Sequence, residues 1–170
     1  MQVLYLDYDN VLHGEVGRYV SAPHVRPYTK GEVLFTHAPI LEALLLPYPN
    51  VKIVLSTSWV RVFDYHRARK RLPASLRARV TGATFHALHM RKEDFSLEPR
   101  HRQILCDVSR RQPTKWLAID DDVEGWPEWA LPHLVATEES VGLNCPRVQA
   151  RLQERLAHFF GEPSPLSSPL

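Results

Sequence analysis

Two short acidic runs hold most of the chemical content of this sequence. In Leu4-Tyr5-Leu6-Asp7-Tyr8-Asp9-Asn10-Val11-Leu12, Asp7 and Asp9 flank a single residue just past an apolar run. In Trp116-Leu117-Ala118-Ile119-Asp120-Asp121-Asp122, acids again follow directly on apolar residues. Carboxylates gathered this closely raise one another's pKa or destabilise the fold unless something neutralises them. A divalent cation does so, and hard oxygen donors favour Mg²⁺. Cys106 and Cys145 form no CxxC pair, so a thiolate metal site is not indicated. A single such run reads equally well as loop and helix caps. Two runs, each following a buried strand, point instead to a site.

The elements that position these acids follow from hydrophobic patterning. Apolar runs occur at Val3–Leu6, Val51–Leu55, Ala78–Thr84, Lys115–Ile119 and His133–Thr137. The first, second and fourth are nearly continuous rather than alternating, as expected of strands buried on both faces of a parallel sheet. Between them, helical spacing predicts helices over His37–Leu46, Trp59–Arg71, Glu98–Arg111 and Arg147–Phe160. The alternation implies an α/β fold, a three-layer sandwich built from right-handed βαβ units. Ligands bind beyond the carboxyl ends of the strands in such sheets, so both acidic runs are expected on one edge.

The segment Asn10–Thr36, with Gly14, Gly17, Pro23, Pro27 and Gly31, reads as a hairpin or flap containing a β-like piece at Arg18–Val20. Residues 1–160 are expected to form one domain, and the Pro- and Ser-rich stretch 161–170 a disordered tail. The 170 residues carry a net charge of +2, with 44% hydrophobic and 24% charged residues, which fits a globular chain without a field that would draw in nucleic acid. No apolar stretch approaches the roughly 18 residues of a membrane span. With two isolated thiols and no signal peptide, a reducing cytoplasm is the expected location.

The run Asp7-Tyr8-Asp9-Asn10-Val11-Leu12 resembles the first motif of the haloacid dehalogenase superfamily, DxDx[TV][LV]. The resemblance implies that Asp7 is the nucleophile that takes a phosphoryl group and that Asp9 is the general acid/base. The family usually has Gly after the second Asp. Asn10 stands there in this chain and tolerates a positive φ better than most residues. The second motif, a hydroxyl ending the next strand, falls on Ser56, with Thr57 as the alternative. The fourth falls on Asp120 and Asp121, with Asp122 adjacent. Mg²⁺ is the implied cofactor, held by Asp7, by Asp120 or Asp121, and by the backbone carbonyl of Asp9.

The third motif is a Lys or Arg that binds phosphoryl oxygens. A crossover helix starts at the catalytic edge, which favours Arg100, with Lys92 and Arg102 as rivals. Lys115 opens its strand and so lies about 16 Å away, five residues at about 3.3 Å each. The implied fold is a Rossmann-like sandwich with a central five-stranded parallel sheet, the first strand in the middle and the Lys115–Ile119 strand beside it. More narrowly, LYLDYDNVLH, VLSTSW, RVTGAT and WLAIDDD are similar to the small haloacid dehalogenase domain of Swiss Army Knife RNA repair proteins.

The function implied is phosphohydrolysis through an aspartyl-phosphate, on nucleotides, nucleic-acid ends or small metabolites such as sugar phosphates. The competing reading is an idle binding or regulatory module, which the joint presence of Asp7, Asp9 and Asp120 disfavours. Dehalogenation needs neither a second acid nor a metal, and P-type ATPase chemistry needs membrane spans. No large cap insertion is evident, so bulky substrates could enter. Trp59, Trp126 and Trp129 lie near the expected loops and could stack a base, although Trp59 reads first as a core or helix-start residue. His13 is near the site, whereas His24, His37, His86 and His89 read as loop or surface residues. The basic run from Arg61 to Arg79 is either a polyanion-binding face or a solvated helix face.

Overall fold

Val3, Leu4, Tyr5 and Leu6 are all fully buried, and the strand they form, β1 (Gln2–Leu6), has a neighbour on each side. In the computed structural model, residues 1–14, 16–17, 26–27, 33–86, 91–139 and 141–161 are described, with the backbone alone at 16–17, 26–27 and 92–93. The elements that follow are β2 (Val16–Gly17), β3 (Arg26–Pro27), α1 (Ala38–Leu45), β4 (Val51–Leu55), α2 (Trp59–Phe63), α3 (Tyr65–Lys70) and α4 (Ala74–Arg79). Then come β5 (Val80–Ala83), α5 (Lys92–Leu97), α6 (Arg100–Arg111), β6 (Lys115–Asp120), β7 (Leu134–Ala136) and α7 (Pro146–Phe160).

The main sheet has five parallel strands in the order β5-β4-β1-β6-β7. Gln2 pairs with Val51 on one side and Lys115 on the other, and the register runs to Leu6 opposite Leu55 and Ile119. Alternation along β1 divides the core. Leu4 and Leu6 pack with Leu41 and Leu45 of α1 and Leu152 and Leu156 of α7. Val3 and Tyr5 pack with Ile104 of α6, Trp116 and Trp126. Helices therefore cover both faces, and the expected α/β sandwich with a central first strand is the fold. Among the described residues, no helix is long and apolar enough to cross a membrane.

Three elements depart from the sequence expectations. The predicted helix Trp59–Arg71 is two helices, because Asp64 adopts φ 79°, ψ 163° between them while its carboxylate caps Arg67 N at 2.9 Å. The predicted strand Ala78–Thr84 shortens to β5, since Ala78 and Arg79 finish α4, a helix that begins after Pro73. The predicted helix from Glu98 starts instead at Arg100, after Pro99, with α5 before it. Of the expected flap, β2 and β3 pair antiparallel, Val16 with Pro27 and Gly17 with Arg26. The β-like piece Arg18–Val20 and the tail 162–170 lie outside the described residues. At the ends of that segment Val11, Leu12 and His13 are buried, and Leu34 and Phe35 pack against the core.

Candidate active site

Backbone pairing continues one residue past the strand ends and sets five side chains in a row at the carboxyl edge. Thr84 N donates to Leu55 O (2.9 Å), Ser56 N to Leu6 O (2.8 Å), Asp7 N to Ile119 O (3.2 Å) and Thr137 N to Asp120 O (3.1 Å). The row therefore reads Thr84, Ser56, Asp7, Asp120, Thr137. Both acidic runs share this edge, and Asp7 and Asp120 are neighbours on it because β1 and β6 are.

Asp7 is 2% exposed and Asp120 0%. Asp7, Asp120 and half-buried Asp121 each offer a carboxylate oxygen within 4.8 Å of the others. Tyr8 N donates to Asp7 Oδ1 at 2.8 Å, Asp122 N to Asp120 Oδ1 at 3.1 Å, and Asn10 Nδ2 to Asp121 Oδ2 at 2.7 Å. Asn10 has φ 57°, the left-handed turn that its type was expected to tolerate. Asp122 is not in the triad; its Oδ1 accepts from Glu124 N at 3.2 Å.

Arg100, the first residue of α6, reaches into this cluster. Its Nη2 lies 3.3 Å from Asp7 Oδ2, its Nε 3.3 Å from Asp120 Oδ2, and its Nη1 donates to Ser56 O at 2.5 Å. One guanidinium thus ties together the ends of β4, β1 and β6. Of its rivals, Arg102 pairs with Glu98 at 3.0 Å on the exposed side of α6. The Lys92 side chain lies outside the described residues. Lys115 is exposed at the opposite edge, paired with Gln2.

Burial raises Asp7 to about 6; Arg100 opposes the shift, while Asp9 and Asp121 add to it. Burial likewise pushes Asp120 well above the usual carboxylate range, with Asp7 adding to the shift and Arg100 opposing it. For Arg100, burial works against the charge, but Asp7, Asp120, Asp121 and Asp122 outweigh it and raise the pKa. One guanidinium leaves the cluster short of positive charge. Asp120 Oδ2 is buried and, beyond its ion pair with Arg100, accepts no hydrogen bond among the described residues. An all-oxygen donor set of three carboxylates within 4.8 Å of one another fits a hard divalent cation.

Ser56 is 0% exposed, and its Oγ has no hydrogen-bond partner among the described residues. The Thr57 Oγ1 instead accepts from Trp59 N at 3.4 Å, at the start of α2. Of the two residues that follow β4, Ser56 is therefore the one whose hydroxyl is left without a partner among the described residues, as is that of Thr137 after β7.

Asp9 is gripped on one oxygen. Trp59 Nε1 donates to Asp9 Oδ1 at 3.0 Å, and His13 Nε2 lies 3.2 Å from the same oxygen. Phe35 packs against the rings of Tyr8, His13 and Trp59 at centroid distances of 5.0, 4.9 and 5.4 Å. Sequence reasoning missed this grip. The available signal was His13 one helical turn's spacing beyond Asp9, and a tryptophan immediately after the second motif. Trp59 is 2% exposed, so it cannot offer a face to a base. Trp126 is buried in the second core cluster, and Trp129, 64% exposed, does not line the cleft over the acids. That cleft, about 500 Å³, is lined by Asp7, Asp9, Asn10, Arg100 and Asp121 among others.

The basic run is partly consumed by the fold. Arg79 donates to Tyr48 O (2.6 Å), Val51 O (3.2 Å) and Leu45 O (3.0 Å). Arg69 donates to Arg77 O, and Arg71 lies over the Trp59 ring at 5.9 Å.

No curated protein and no solved structure matches the chain significantly. A family model does match, over residues 3–148, from β1 into the first turn of α7 and across every site residue described above. With motif, sheet order and family match in agreement, the chain belongs to the haloacid dehalogenase superfamily, in the family described as the HAD domain in Swiss Army Knife RNA repair proteins.

Proposed function

We propose that this chain is a Mg²⁺-dependent phosphomonoester hydrolase that works through Asp7, and that its substrates are nucleotides or nucleic-acid ends. The observation that carries the reading is the convergence of Asp7, Asp120 and Asp121 within 4.8 Å beside Arg100. Family membership supports hydrolase chemistry in general.

Asp7 attacks phosphorus in line and takes the phosphoryl group as an aspartyl-phosphate, splitting one difficult displacement into two. The Arg100 fork and the Ser56 hydroxyl hold the transferring oxygens. Asp9 gives its proton to the leaving oxygen and then accepts one from the water that attacks the aspartyl-phosphate. Mg²⁺ would be held by Asp7, Asp120 and Asp121 with the backbone carbonyl of Asp9, where it supplies neutralisation of phosphate charge. The name of the family supports the choice of a nucleic-acid substrate.

A phosphatase screen with Mg²⁺ tests the reading, across sugar phosphates, mononucleotides and oligonucleotides phosphorylated at either end. Turnover of nucleotides or oligonucleotides that disappears on chelation is the expected result. A sugar phosphate cleaved a hundredfold more efficiently than any nucleotide or oligonucleotide would contradict the substrate class and leave the catalytic assignment standing.

A further inference from the structure

A second cleft, of about 770 Å³, opens beside the catalytic one on the β5 side of the sheet. Its walls carry three half-buried aromatic rings, Phe63 from α2, Tyr65 from α3 and Phe85 just past β5, with Arg61, His66 and His86 also lining it. The two clefts lie on either side of the start of α2. Ser58, just before the helix, lines the catalytic cleft, and Arg61, three residues on, lines the aromatic one.

The backbone between the helices explains how the rings come together. Phe63 and Tyr65 are two residues apart, and in a continuous helix such residues point to different faces. Asp64 interrupts the helix with φ 79°, ψ 163°, a conformation that residues with a Cβ rarely adopt. The break turns both rings to one cleft. Backbone strain of this kind collects at functional sites. Each outer ring is also backed by another: Phe63 by Trp59 at 5.4 Å and Phe85 by Phe95 at 5.2 Å. Arg61 is bonded to Ser96 of α5.

We propose that this cleft is the nucleoside subsite, taking the base and sugar of the nucleotide whose phosphate Asp7 receives. Aromatic faces stack bases of any sequence, and the histidines and Arg61 supply hydrogen-bonding groups for base edges and sugar hydroxyls. A sugar phosphate has no flat face to fill the cleft. The proposal deepens the phosphohydrolase reading and rests on it.

The test compares adenosine 3′- and 5′-monophosphate with ribose 5-phosphate and acetyl phosphate, in the wild type and in Phe85→Leu, Tyr65→Leu and Phe85→Tyr. One of the nucleotides should exceed ribose 5-phosphate about tenfold in kcat/KM, about 1.4 kcal/mol. The ratio of nucleotide to acetyl phosphate kcat/KM should fall about tenfold in each leucine variant and recover in Phe85→Tyr. Equal kcat/KM for ribose 5-phosphate and both nucleotides, or an unchanged ratio in both leucine variants, would overturn the proposal. Calorimetric titration with adenosine reads the cleft without turnover. Binding that weakens in Phe85→Leu supports the subsite even if no phosphate is hydrolysed, and no binding to the wild type overturns it.

Discussion

The indole Nε1 of Trp59 donates to Asp9 Oδ1 at 3.0 Å across 50 residues of chain. Phe35 N donates to His13 Nδ1 at 3.4 Å, which leaves the proton of a neutral His13 ring on Nε2, 3.2 Å from the same Asp9 oxygen. Two donors thus converge on Oδ1, which in the proposed mechanism leaves Oδ2 as the oxygen that faces the leaving group. Hydrogen bonds to a charged group contribute about 1.5–3 kcal/mol. Trp59→Phe keeps an aromatic ring in the core and removes one donor. It should lower kcat about tenfold or more while the protein still unfolds cooperatively. An unchanged kcat would show that this contact does not position Asp9.

Asp7→Asn should abolish turnover and stabilise the protein measured in chelator, with a pH dependence whose sign is fixed. Asp7 titrates near about 3.9 when unfolded and is raised to about 6 when folded. Its contribution to stability is therefore full below about 4 and lost as pH rises through about 6. At pH 7.5 the variant escapes that loss and should exceed the wild type by about 1–3 kcal/mol. At pH 4 the difference should nearly vanish. Urea unfolding at the two pH values checks this, and a larger gain at pH 4 would contradict it.

Divalent cation binding should stabilise the fold by mass action. Mg²⁺ at a hundred times its Kd adds about 2.7 kcal/mol. The gain should be lost in the double variant Asp120→Asn, Asp121→Asn, which removes two charges of the triad. Thermal unfolding with and without Mg²⁺ reads the effect, and an equal gain in wild type and variant would place the ion elsewhere.

The catalytic edge should also separate two cations. Arg100→Ala removes the group that bridges Asp7, Asp120 and the Ser56 carbonyl, and should reduce kcat/KM about a hundredfold, near the loss of a charge-assisted pair. Lys115 lies at the opposite edge of the sheet, and Lys115→Ala should leave kcat/KM within about twofold, as for surface substitutions. The reverse ranking in steady-state assays would contradict the site.

The sheet was legible because strands buried on both faces read as unbroken apolar runs, and the acids stood directly after them. The order of strands followed from the resemblance, and Asp7 and Asp120 are adjacent as it implied. Local helix breaks were less legible. Asp64 holds a conformation usually left to glycine, and nothing in the pattern from Trp59 to Arg71 marks it. Tertiary partners were hidden for a different reason. A tryptophan reads as apolar by composition, but the Trp59 ring is buried with its one polar atom on Asp9, a pairing that only the fold creates. Similarly, the basic run from Arg61 to Arg79 read as either a polyanion-binding face or a solvated helix face, although Arg79 is committed to backbone carbonyls of α1, β4 and the loop between them.

The central claim is that Asp7 becomes phosphorylated. The direct measurement is rapid acid quench during turnover of the best nucleotide substrate, reduction of any acyl phosphate with borohydride, and mass spectrometry of the peptide containing Asp7. The account predicts conversion of Asp7 to homoserine in the wild type, dependent on substrate and Mg²⁺, and none at Asp9, Asp120 or Asp121. Full turnover without modification of Asp7, or modification at another acid, would contradict it.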